Sequence, residues 1–96
     1  MRRQKTQNLS DVIKAFKAQY NLNRDLDKLR AKKAWPEIVG SNAARYTDKI
    51  YFRGTVLYIH LTSPVLRHEL SGQRKILKTR LNEAVGREVV SNVVLK

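Results

Sequence analysis

The side chains that could carry acid–base or nucleophilic chemistry are few in this sequence, and they are scattered. Glu37, Asp48, Glu69, Glu83 and Glu88 form no pair at a catalytic spacing. His68 and Glu69 are adjacent, so on a helix they point in different directions and make no dyad. Ser10, Ser41, Ser63, Ser71 and Ser91 stand in no nucleophile motif. The glycines are isolated, which excludes a phosphate-cradling glycine loop. Cysteine is absent, and with it disulfide scaffolds, zinc ribbons and thiol catalysis. His60 and His68 lack the further ligands a structural zinc needs. Because catalysis requires a positioned acid, base or nucleophile in a cleft, this pattern points away from an enzyme. No cofactor, metal or small-molecule substrate is expected.

The cations are a different matter. Lys and Arg number 20 against 8 Asp and Glu, a net charge of +12, and the isoelectric point is near 10.5. Basic side chains that reach a polyanion release its condensed counterions, so this balance predicts a nucleic-acid partner, DNA or RNA. Arg67, Arg74 and Lys78 are spaced by seven and four residues, which on one helix makes a single stripe with Lys75 beside it. The other reading of such a stripe is a solvated helix face. Lys28, Arg30, Lys32 and Lys33 form a second basic stretch, compensated early by Asp25 and Asp27. Tyr51, Arg53, Tyr58 and His60 alternate on two candidate strands. They could stack on bases or simply pair with one another across the strands. Arg2, Arg3 and Lys5 lie among polar residues without apolar periodicity, so residues 1–7 read as a flexible basic arm ahead of a domain over 8–96.

These residues must be positioned by a chain of 96 residues, one domain with a modest core. Leu9, Val12, Ile13, Phe16 and Tyr20 recur at helical spacing, predicting a first helix over 9–20, capped by Asn8 or Ser10. Asn21 or Asn23 is expected to interrupt it. A second helix follows from Arg24, with Leu22, Leu26 and Leu29 starting its apolar stripe. Pro36 requires a kink or a new turn near Trp35 that carries Ile38 and Val39 inward, and Trp35 itself reads as core. Residues 41–46 continue as helix. Residues 49–53 and 55–62 alternate as strands around Gly54, with Leu57, Ile59 and Leu61 facing the core. Ser63-Pro64 starts a long helix to Val85 whose apolar face is Leu66, Leu70, Leu77, Leu81 and Ala84. Gly72 is its weak point and Gly86 its left-handed end. Val89, Val90, Val93, Val94 and Leu95 form a final strand. The expected fold is α+β, in the order α-α-β-β-α-β, with helices packed against a three-stranded sheet. Val56, Tyr58 and Val94, or the first helix, are the alternative docking surface for an acidic protein partner. No apolar run reaches the ~20 residues of a membrane span, and no signal-peptide core follows the first basic residues. The expected compartment is therefore the cytoplasm, with no membrane partner.

Trp35-Pro36-Glu37-Ile38-Val39-Gly40, followed by Ala43, Ala44 and Thr47, resembles the W-x-x-[IV]-V-G signature of the DciA-like domain. Gly54-Thr55-Val56-Leu57-Tyr58-Ile59 is similar to that family's glycine turn and strand. Ser63, Leu66, Glu69-Leu70, Ile76-Leu77, Leu81-Asn82 and Gly86 are similar to its long helix. The similarity runs from Leu9 to Leu95. It implies a KH-like (K-homology) fold, β-β-α-β after leading helices, and a role in bacterial DNA replication. It also implies DNA binding and an interaction with the replicative helicase that promotes its loading. The Gly-x-x-Gly loop by which K-homology domains grip a nucleic-acid backbone is missing. Ser71-Gly72-Gln73-Arg74 stands nearest to it. Some relatives carry a zinc ribbon, which this cysteine-free chain lacks.

Overall fold

The computed structural model describes residues 9–96, with the side chains of all of these except residues 10 and 16–21. The basic arm at Arg2, Arg3 and Lys5, the cap at Asn8 or Ser10, and the side chains of Phe16 and Tyr20 lie outside what is described.

Helix α1 spans Leu9–Val39 without interruption. The expected break at Asn21 or Asn23 does not occur. Asparagine costs a helix only about 0.7 kcal/mol relative to alanine, and no Gly or Pro stands between Leu9 and Pro36. Packing of the C-terminal half outweighs that cost. Asp27, Ala31 and Trp35, each four residues apart, are all buried, and Ala34, Ile38 and Val39 pack beside them. Leu22, Leu26 and Leu29, expected to start the apolar stripe, lie on the exposed side instead, at 59%, 41% and 43% exposure. Pro36 falls within the last turn, where the helix runs only as far as Val39. The Gly40 amide then donates to the Pro36 carbonyl at 2.9 Å. A helix this long reaches about 46 Å, and the molecule measures 65 × 20 × 19 Å. Towards its N-terminus α1 leaves Leu9, Val12 and Ile13 exposed.

A short helix, α2 (Ser41–Ala44), is two residues shorter than expected. It leads into strand β1 (Thr47–Arg53), which pairs antiparallel with β2 (Val56–Leu61). Alternation holds: Leu57, Ile59 and Leu61 are buried and the residues between them half-buried. Strand β3 (Asn92–Leu95) pairs parallel with β2, so the order is β1-β2-β3 with β2 central.

Between β2 and β3 the expected single helix is two. Helix α3 covers Pro64–Ser71 and α4 covers Arg74–Val85. Ser63 caps α3, its Oγ accepting from the Leu66 amide at 3.2 Å. At Gly72, where a helix loses about 1 kcal/mol relative to alanine, the chain turns. The Gln73 amide donates to the Leu70 carbonyl, and the Gln73 carbonyl accepts from Leu77. Leu70 and Leu77 enter the core from separate helices. Ala84, expected on the apolar face, is exposed, and Val85 packs in its place. The fold is α+β, with α1, α3 and α4 contributing to one core against the inner sheet face.

Gly86 ends α4 in the left-handed region, φ +92° and ψ 7°. A Cβ there would meet no atom within 4 Å, so a side chain costs backbone strain alone. Gly86→Ala is expected to lower stability by about 1–2 kcal/mol, read as a fall in the midpoint of thermal unfolding. An unchanged midpoint would contradict the assigned conformation.

Candidate nucleic-acid interface

The start of α4, just after the turn that follows α3, carries three cations close together, Arg74, Lys75 and Lys78. Arg74 and Lys75 are exposed in the first turn of α4, and Lys78 is half-buried one turn on. Among the described residues none of the three is ion-paired. That turn contains no acid, and Gln73 supplies no capping side-chain hydrogen bond. A helix N-terminus carries partial positive charge from its unpaired amides, so acids stabilise it and cations do not. Arg74 and Lys75 therefore stand where an anion would offset them. Ser71, Gly72, Gln73, Arg74, Lys75 and Ile76 line an open cleft of about 410 Å³ at this turn.

The expectation that Arg67, Arg74 and Lys78 form one helical stripe is not met. The chain turns at Gly72, which puts Arg67 on α3 and the other two, with Lys75, on α4. Arg67 is half-buried and, among the described residues, has no acidic partner. Its carbonyl accepts from the Ser71 hydroxyl at 2.7 Å.

Arg53 and Tyr58 belong to another surface. Arg53 is exposed at the end of β1, opposite Val56, and Tyr58 pairs with Tyr51 in the middle of the hairpin. Their strand positions alternate with the buried Leu57 and Ile59, so they occupy the sheet face opposite the helices. The Tyr51 and Tyr58 rings stack with centroids 5.4 Å apart and planes 6° apart. His60 lies 5.6 Å from Tyr51, with its Nε2 within 3.3 Å of the Tyr51 hydroxyl. The cross-strand pairing considered for these residues is thus present.

Two polar anchors were not evident in the sequence. Asp27 is buried, and its two oxygens accept from Arg30 and from Arg87 Nε, each at 3.2 Å. Its place four residues before Ala31 and eight before Trp35 was the available signal that it faces inward. Asn82 on α4 accepts from the Val89 and Val90 amides and donates to the Val90 carbonyl at 2.8–3.0 Å, fixing the segment that leads into β3. Trp35 is core, as expected, but its Nε1 also donates to Thr47 Oγ1 at 2.9 Å, tying α1 to β1. No helix among the described residues is long and apolar enough to cross a membrane.

The family described as Dna[CI] antecedent, DciA, matches residues 8–95, nearly the whole chain. No curated protein matches the chain, and no solved structure does. The W-x-x-[IV]-V-G segment at α1's end, the glycine turn between β1 and β2 and the helical segment closed by Gly86 all fall within that match. The chain belongs to the DciA family, which is associated with helicase loading in DNA replication.

Proposed function

We propose that this chain is a DNA-binding accessory of the replicative helicase, acting in the cytoplasm and without catalytic activity of its own. DNA phosphates meet Arg74, Lys75 and Lys78 at the start of α4, with Arg67 beside the same turn and Arg2, Arg3 and Lys5 adding charge from the N-terminal arm. The observation that carries this reading is the basic, uncapped first turn of α4, in a chain of net charge +12. Contacts of this kind act through the backbone and give affinity without base sequence preference. RNA, the other polyanion, is the alternative partner.

The helicase has a second surface to use. Leu9, Val12 and Ile13 are exposed on α1 at 74%, 48% and 55%, and an amphipathic helix with an open apolar face is a common protein-docking element. Both parts of the reading are tested together by a helicase-loading assay on circular single-stranded DNA. The full chain is expected to raise the amount of helicase loaded. Helicase is also expected to stay with the chain after nuclease treatment, and to be lost from a Val12→Asp, Ile13→Asp variant. No stimulation of loading, with no helicase retained after nuclease, would reject the function.

A further inference from the structure

The outer face of the sheet is left uncovered, because α1, α3 and α4 all pack on the inner one. Its outward positions are Lys49, Tyr51 and Arg53 on β1, Val56, Tyr58 and His60 on β2, and Asn92, Val94 and Lys96 by the register of β3. None of these is acidic. Asp48 is nearby, exposed at the irregularity between Thr47 and Lys49. An open sheet face that carries an ordered aromatic pair amid cations differs from a solvated polar face, where charges of both signs mix.

We propose that this face is a stacking platform for unpaired bases, by which the chain binds a single nucleic-acid strand at Tyr51 and Tyr58. The two rings are already parallel, and the 3.3 Å approach of the Tyr51 hydroxyl to His60 holds the outer ring in place. Little side-chain freedom is then lost on binding. A base does not fit between the rings: stacked bases lie about 3.4 Å apart, so insertion needs about 6.8 Å, more than the 5.4 Å between centroids. It adds to the end of the stack instead. Tyr51 is on β1, an edge strand, so the ring face turned away from Tyr58 has no strand beyond it. The Lys96 ammonium lies 5.5 Å from the Tyr58 ring centre. With Lys49 and Arg53 it supplies cations on both sides of the rings for the sugar-phosphate backbone. A duplex keeps its base faces stacked inside, so this surface distinguishes single strands from duplexes, which a phosphate contact at α4 does not. Single-stranded DNA and RNA present the same base faces, and the platform accepts either.

The test is fluorescence anisotropy with a labelled oligo-dT, an oligo-rU of equal length and a duplex of mixed sequence. Tyr51→Ala with Tyr58→Ala is expected to weaken both single strands about tenfold or more, since stacking contributes about 1–3 kcal/mol per base. Duplex binding is expected to stay within about twofold, because the phosphate term is untouched. Tyr51→Phe with Tyr58→Phe keeps the rings and should keep the affinity. An equal loss on single strands and duplex, or no loss on single strands, overturns the proposal. Should the alanine variant fail to fold, photocrosslinking of iodouracil-substituted oligo-dT to the unaltered chain decides. Adducts at Tyr51 or Tyr58 support the platform, and adducts confined to 67–78 reject it. Loss of α4 binding would instead lower single-strand and duplex affinity together, so failure of the two sites is distinguishable.

Discussion

Replacing Asn82 with Leu is expected to lower the stability of the fold by about 3 kcal/mol or more. The Asn82 side chain accepts from two backbone amides and donates to one carbonyl, all at Val89 and Val90. Val90 is fully buried, so water cannot readily replace these bonds. Each backbone group left unpaired costs about 1–3 kcal/mol, and relaxation of the segment recovers part of the sum. Leu approximates the shape of Asn without its polar atoms, which separates the hydrogen bonds from packing. Asn82→Asp keeps the two acceptor interactions but turns a carboxylate oxygen, which cannot donate, toward the Val90 carbonyl, so it should still lose stability, by less than the Leu variant. Urea unfolding followed by Trp35 fluorescence measures both, since Trp35 is the only tryptophan and sits in the core. A loss below about 1 kcal/mol for the Leu variant would mean that Asn82 does not anchor the approach to β3.

The second large effect concerns binding. Arg74, Lys75 and Lys78 replaced together by Gln should weaken DNA binding about 10- to 100-fold near 0.1 M salt, as expected for three lost phosphate contacts. The same variant should be as stable as the parent chain or more so, because Arg74 and Lys75 oppose the helix dipole at the first turn of α4. Opposite signs for affinity and stability are the mark of residues kept for a ligand and not for the fold. A variant that loses stability and binding together would assign these side chains a structural role.

The strands were legible because burial follows a period of two: Leu57, Ile59 and Leu61 go inward and Tyr58 and His60 outward, as read. Ser63-Pro64 and Gly86 were legible because their backbone chemistry is local: a side-chain cap at one end of the α3–α4 segment, a positive φ at the other. The helices were harder. Leu22, Leu26 and Leu29 have core-like spacing, yet the core takes the adjacent face with Ala31 and Trp35, and only tertiary packing decides between two faces of one helix. Gly72 was recognised as weak, but whether a helix bends or breaks at a glycine depends on what both halves bury. Here Leu70 and Leu77 reach the core from separate helices. That break is what removed Arg67 from the expected stripe. It also turned Ser71-Gly72-Gln73-Arg74 from a helical segment into the turn that presents the cations. The DciA resemblance was legible from the order and spacing of short motifs, and it spans the length over which the family matches.

If this chain holds nucleic acid through its phosphates, its affinity for DNA must depend steeply on salt. Anisotropy titrations across about 50–200 mM salt should give a linear fall of log K with log salt. The slope should be about −2 to −3 for duplex if three α4 contacts form, and steeper if Arg67 and the arm also engage. Absence of binding at the lowest salt, or an affinity that does not change across the series, would mean that the chain does not hold DNA through its phosphates.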